Sequence, residues 1–296
     1  MHISEKIVRI LVLSVKLAIA GLALYYVLGK IETKDLKSHL TSLKYEYLGL
    51  AITCMLCSQI LGSLRLRAYF ASEGLLIGKQ YSIFINWAAS FFSLLLPGGI
   101  GGDGYLALHL NKNFKFPTFR AVRILLLTRA NGLLFLNVFF FLAVINSNFV
   151  DVIPRHEKLV VGLFILQFPV YFFVTRRILK EKQSGFLLGS AYSLASQFLY
   201  VCAALLVFKS LDIHSNYADY LSLFLAASVA AFIPITPGGV GVREIIFLHG
   251  AQLIGIDAEL AVASALAYFI LFVLVSSIGV VFYFLIPKIE KNIKQV

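Results

Sequence analysis

The sequence predicts an all-α, polytopic membrane protein: two inverted-topology repeats with about six crossing helices and two re-entrant Pro-Gly-Gly hairpins. Three observations point there. The 296-residue chain is 59% hydrophobic and 14% charged, far more apolar than a soluble domain. Several apolar runs approach or exceed the roughly 20 residues that cross a hydrocarbon core of about 30 Å. A glycine-rich break also occurs twice, 140 residues apart, as Pro97-Gly98-Gly99-Ile100-Gly101-Gly102-Asp103 and Pro237-Gly238-Gly239-Val240-Gly241-Val242-Arg243-Glu244. Proline and glycine leave helix backbone groups unpaired, and lipid cannot satisfy them. Such breaks survive at membrane depth only against protein or a wet cavity.

Taken in order, the first element is Ile7–Leu28. Lys6 and Arg9 precede its apolar run, which is too long for a signal-peptide core, and the small residues Ala18–Gly21 lie inside it. It reads as a retained helix. The polar interval Gly29–Tyr47 is loop-sized, and Tyr47–Leu64 crosses next. Cys54 and Cys57, two of the three cysteines beside Cys202, form a C-x-x-C there with no further ligand nearby, so the pair reads as core packing. After a basic loop, Arg65–Gln80, comes the first broken segment, Tyr81–Leu96 followed by Tyr105–Leu110. Ala121–Ile145, Leu159–Thr175 and Phe186–Phe208 are further crossings, the last two separated by the basic loop Arg176–Gly185. Tyr220–Thr236 and Ile245–Leu253 repeat the broken pattern. Leu260–Pro287 completes the chain, with Pro287 and Lys288 expected to end it sharply.

Charge decides how the broken segments sit. If both return to the side they entered from and the N-terminus is cytoplasmic, the basic residues of the loops divide sixteen inside to seven outside. If both cross, the bias vanishes. The expected topology therefore has two re-entrant hairpins and both termini cytoplasmic. Each half then holds three crossings, an odd number, so the second half is inserted upside down.

The halves also match in sequence. Laid on Ser222–Val262, Ser82–Val122 gives 11 identities in 41 positions, including Pro97/Pro237, Gly98/Gly238, Gly99/Gly239, Gly101/Gly241 and His109/His249. Apolar bias explains matched Leu or Val, but not a repeated Pro-Gly-Gly-x-Gly or paired histidines. Residues 1–296 read as one integral membrane domain, repeat 1 being 1–146 and repeat 2 being 147–296.

Charged side chains at bilayer depth cost about 2.5–3.5 kcal/mol on insertion scales and mark candidate sites. Asp103, Arg129, Arg243 and Glu244 are the four expected there. Arg129 either pairs with Asp103 or holds a phosphate through its planar fork. Arg243 adjoins amides of the second glycine turn, the arrangement that binds anions at helix N-termini. Glu244 is either a helix cap or part of that site. With Pro97, Gly98, Gly99, Gly101, Gly102, Pro237, Gly238, Gly239 and Gly241 these form the candidate substrate-binding set. His109 and His249 are hydrogen-bonded packing residues or a proton relay. No metal set, cofactor motif or catalytic constellation is present, so neither cofactor nor enzymatic activity is expected. The net charge of +11 comes mostly from short loops, which suits topology and anionic lipid rather than nucleic acid.

The Pro97–Asp103 turn, Arg129 with Gly132, and Thr236–Glu244 together resemble the family named for the transmembrane region of lysylphosphatidylglycerol synthase/flippase, from about Ile7 to Lys288. In that family the membrane unit is held to move an aminoacylated phospholipid, while a separate soluble domain performs aminoacyl transfer. No stretch of this sequence is left for such a domain, so synthase activity is not carried over. The resemblance implies a flippase for an anionic-headgroup lipid or polyprenyl-linked glycan in a bacterial or archaeal cell membrane. It also maps the candidate site onto Pro97–Asp103, Arg129 and Pro237–Glu244. Family members often carry an acid before the helix arginine. Here Thr128 stands there, which favours Asp103 as the partner of Arg129. Two alternatives remain: a non-catalytic membrane partner of a separate synthase or glycosyltransferase, and a polyprenyl-phosphate-dependent transferase. The oligomeric state is open.

Overall fold

The computed structural model describes residues 14, 18, 21–23, 25–30, 33–95, 101–152, 157–179, 183–232, 236 and 240–293. Within them the chain is helical and contains no strand. Residues 21–23 and 25–28 are helical and precede twelve further helices: α1 (Thr33–Thr41), α2 (Tyr45–Ser72), α3 (Lys79–Leu95), α4 (Gly101–Phe114), α5 (Thr118–Val144), α6 (Phe149–Val152), α7 (Glu157–Leu179), α8 (Gln183–Ser210), α9 (Tyr217–Ala230), α10 (Val242–Ile254), α11 (Ala258–Ser277) and α12 (Gly279–Ile293).

Among the described residues four stretches are long and apolar enough to cross a membrane: Tyr45–Ser72, Thr118–Val144, Gly185–Ser210 and Ala258–Ile286. They contain four of the six expected crossings. The expected crossing Leu159–Thr175 falls in α7, and Ile7–Leu28 lies largely outside the described residues.

The spine of the fold is α2 against α8, which run antiparallel for their full length. The Lys44 amide donates to the Ser210 carbonyl at one end (3.0 Å). Midway, the hydroxyl of Ser58 donates to the Ser196 carbonyl (2.9 Å), and that of Ser196 to the Ser58 carbonyl (3.1 Å). At the far end Gly185 lies flush against Ser72. Each helix has 28 residues, about 42 Å of rise. Such small and hydroxylic residues let helices approach closely without a hydrophobic driving force.

On each side of the spine the order recurs: long helix, shorter helix, glycine break, short helix, long helix. That order is α2–α5 in the first half and α8–α11 in the second. α3 packs back along α4, with Tyr81 meeting His109 and a glycine-tight contact of Gly102 on Ala89 and Ser93 nearer the break. α9 packs back along α10, where Gly250 meets Leu223. The halves exchange partners: α5 packs on α9, and α11 on α3. One apolar core gathers mainly the second-half helices, the other mainly those of the first half.

Several local expectations need correction. The helix expected over Tyr47–Leu64 runs on to Ser72, so Arg65 and Arg67 are helical rather than loop residues, and the turn spans only 73–78. Lys and Arg have good helix propensity, and charge alone does not end a helix. Gly29–Tyr47 contains α1, which rests on α11. The last crossing is interrupted at Ile278, and its continuation α12 passes through Pro287 instead of stopping there. Proline's φ is itself helical, so the helix continues through it at the loss of one backbone hydrogen bond. Cys57 is exposed on α2 rather than packed in the core.

A candidate anion site between the two halves

Asp103 sits in the first turn of α4, where a carboxylate complements the positive helix end. Arg129 lies mid-way along α5. The two form an ion pair in which the Arg129 Nε donates to an Asp103 carboxylate oxygen. Their side chains stay 30% and 23% exposed, because both face a cavity.

That cavity, about 240 Å³, carries a second arginine absent from the sequence-derived set: Arg65, from α2. Its Nη1 donates to the Ser193 hydroxyl at 3.0 Å, while its buried Nε has no acceptor among the described residues. Gly132 makes this placement possible. A Cβ there would stand 3.0 Å from Arg65 Nη1 and 3.3 Å from the Gln197 amide nitrogen. The neighbouring wall is hydrogen-bonded in place: the Asn86 amide donates to the Ser63 hydroxyl (3.0 Å), and Ser82 Oγ to the Ser63 carbonyl (2.8 Å).

A second cavity of about 250 Å³ adjoins it and includes Ser58, Ser196, Tyr200, Ser228 and Arg243 in its lining. Arg129, Gln197 and Phe232 line both cavities. Arg129 thus stands between the two cavities, with Arg65 in the first and Arg243 in the second. The Arg243 guanidinium lies 6.0 Å from the centre of the Phe272 ring, a cation–π distance. Its Nε is buried without a hydrogen-bond acceptor, and it makes no ion pair among the described residues.

Glu244 turns away from this space. One carboxylate oxygen accepts the Gly241 amide at 2.7 Å, capping α10, and the side chain is 1% exposed. Gly241 holds φ 85°, a conformation costly for other residues. Glu244 lines neither cavity. The two cavity linings thus bring three guanidiniums to one carboxylate, a constellation suited to an anion of up to two charges.

Pro97, Gly98, Gly99, Pro237, Gly238 and Gly239 lie outside the described residues. Gly101 and Gly102 open α4, and Gly241 precedes α10. The histidines line neither central cavity. His109 Nε2 is 2.7 Å from the Tyr81 hydroxyl and 2.9 Å from the Asn113 amide nitrogen. The exposed His249 is 3.3 Å from the Tyr26 hydroxyl.

Arg65 was the residue that sequence reasoning missed. Next to Arg67 it resembles a membrane-surface pair, yet residues two apart on a helix face nearly opposite ways. Arg67 caps the turn by donating to the Ile77 carbonyl at 2.8 Å, leaving Arg65 to point inward.

The family described as the lysylphosphatidylglycerol synthase TM region matches residues 13–279. A phosphatidylglycerol lysyltransferase of Staphylococcus haemolyticus (strain JCSC1435) is 25% identical over 180 residues, covering 58% of this chain. The match spans about a fifth of that relative, 21% of its length.

Proposed function

This chain belongs to the family of the lysylphosphatidylglycerol synthase TM region and is a membrane protein, and from that premise we propose that it moves a lipid with an anionic headgroup, or a lipid-linked glycan, across the membrane. One observation carries the reading: Arg65, Arg129 and Arg243 line two adjoining cavities in which Asp103 is the one carboxylate among the described residues. Ionisable side chains at membrane depth face the protein interior or a wet cavity and mark substrate pathways. In this reading the headgroup phosphate passes between the two halves, held in turn by the guanidiniums, while the acyl chains stay in lipid. The antiparallel packing of α3 on α4 and of α9 on α10 supports placing both as re-entrant hairpins. The exchange of partners between halves supports inverted repeats, an architecture that alternates access by rocking. The sequence carries no ATPase motif, so an ion gradient or consumption of the delivered lipid supplies the drive.

The test is movement of fluorescent phosphatidylglycerol between leaflets of proteoliposomes. Each guanidinium contact to a phosphate contributes about 1.5–3 kcal/mol. Arg129→Ala and Arg243→Ala therefore slow movement about tenfold or more, with folding checked by monodisperse elution. Wild-type rates in both variants reject the site. No movement by the wild-type protein, with loss of a separate synthase's activity when this chain is removed, favours the partner role.

A further inference from the structure

Another cavity lies outside the central chamber. It is a groove of about 580 Å³ between α4 and α12, floored by Tyr105, Leu108 and His109 on one side and Tyr283 and Phe284 on the other, with Lys112 at its end. Leu108 and Phe284 are 66% and 70% exposed, so the groove opens outward, toward lipid in a membrane protein.

We propose that this groove is a lateral binding site for one anionic phospholipid, distinct from the transport pathway. Its polarity is graded along α4. Lys112 and Asn113 stand in the last turn, beside the basic stretch Lys115–Arg123, while Tyr105 lies near the glycine break. The separation is about 11 Å of helix rise. A phospholipid has the same gradient: a phosphate at the interface and an acyl chain pointing inward. No carboxylate among the described residues lines the groove to repel that phosphate. The floor is already fixed, as Tyr105 packs against Phe92 (4.5 Å between ring centres) and against His109 (5.4 Å), and His109 is held by Tyr81 and Asn113. Aromatic rings held this way present a firm face to an acyl chain without losing side-chain freedom on binding. Lys112 is exposed, as a phosphate contact at the interface requires.

The site is independent of the flippase reading, and the experiment separates the two. The protein is reconstituted in phosphatidylcholine vesicles carrying a little phosphatidylglycerol with a photoreactive acyl chain, and the labelled peptides are mapped by mass spectrometry. Labelling concentrates on the segments around Leu108 and Tyr283–Phe284. Lys112→Ala lowers it about fivefold, Lys112→Glu lowers it further, and Lys112→Arg retains it. Leu108→Trp, which fills the groove, abolishes it. Arg129→Ala and Arg243→Ala leave it unchanged even where they stop lipid movement. Labelling spread evenly around the protein, or equal labelling by photoreactive phosphatidylcholine, would show ordinary surrounding lipid only and overturn the proposal. So would indifference to Lys112→Glu.

Discussion

At the start of α4 the side chain facing the chamber is the carboxylate of Asp103, and it is met by Arg129. At the start of α10, 140 residues later, the equivalent position is Arg243, which faces the adjoining cavity against the ring of Phe272. The acid beside it, Glu244, is occupied with the Gly241 amide. The backbone plan of the two halves is alike, and the charge it presents is opposite. The positive helix end favours the carboxylate of Asp103 and opposes the guanidinium of Arg243, which is met instead by the Phe272 ring. The side chains on the facing helix decide whether that charge is neutralised.

The comparison can be broken at several points. Gly102 and Gly250 are the close-contact glycines of the two hairpins. A methyl at Gly102 would drive into the Ala89 carbonyl, which cannot move aside, whereas at Gly250 it would meet the end of the Leu223 side chain. Gly102→Ala should cost about 3 kcal/mol and Gly250→Ala less than about 1 kcal/mol, read as thermal unfolding in detergent. Equal losses would mean that the hairpins are equally tight.

Arg129→Ala comes next. It strands Asp103, and at the partial exposure of the pair the loss should be about 2 kcal/mol, below that of a fully buried pair. Adding Asp103→Asn should recover most of it. Recovery of stability without recovery of lipid movement would assign Arg129 a role beyond the pair. A smaller effect is expected at Glu244, where Glu244→Ala removes a cap worth about 1 kcal/mol and Glu244→Gln keeps most of it.

The smallest effect lies outside the bilayer, where Lys44 pairs with Asp212 across the end of the spine. The hydrogen bond from Lys44 holds the Asp212 carboxyl below its ordinary value, and the same bond holds the Lys44 ammonium above its own. The Asp212 contribution is complete above the ordinary carboxylate value of 3.8 and is lost as pH falls through the depressed one. The Lys44 contribution is complete below the ordinary lysine value and fades as pH rises through the raised one. The unfolding difference between wild type and Asp212→Asn should therefore be slight and flat across neutral pH, shrinking at either extreme. A difference that varies between pH 5 and 8 would point to His214, whose Nε2 lies 3.2 Å from the same Asp212 oxygen.

Much of this was legible in the sequence. Apolar length located the described helices that are long enough to cross a membrane, and the repeated Pro-Gly-Gly falls between the two shorter helices of each half. The Asp103–Arg129 contact is one of the two roles the sequence left open for Arg129, the other being a phosphate contact. Other features depend on distant residues. The inward turn of Arg65 needs the slot at Gly132, 67 positions on, and the hydroxyl of Ser193, in the other half. The helix α1 is too polar to announce itself by hydropathy, and forms by resting on α11. The crossed hydroxyls of Ser58 and Ser196 are two ordinary serines until α2 and α8 bring them together.

Those serines bear on what can move. Two helices braced at mid-length and bonded at one end, with a glycine flush against its partner at the other, behave as a single rigid axle. Separating them would break contacts along their whole length. Arg65 stands on one helix of this axle and Gln197 on the other, so the brace fixes the spacing of two groups that line the same cavity.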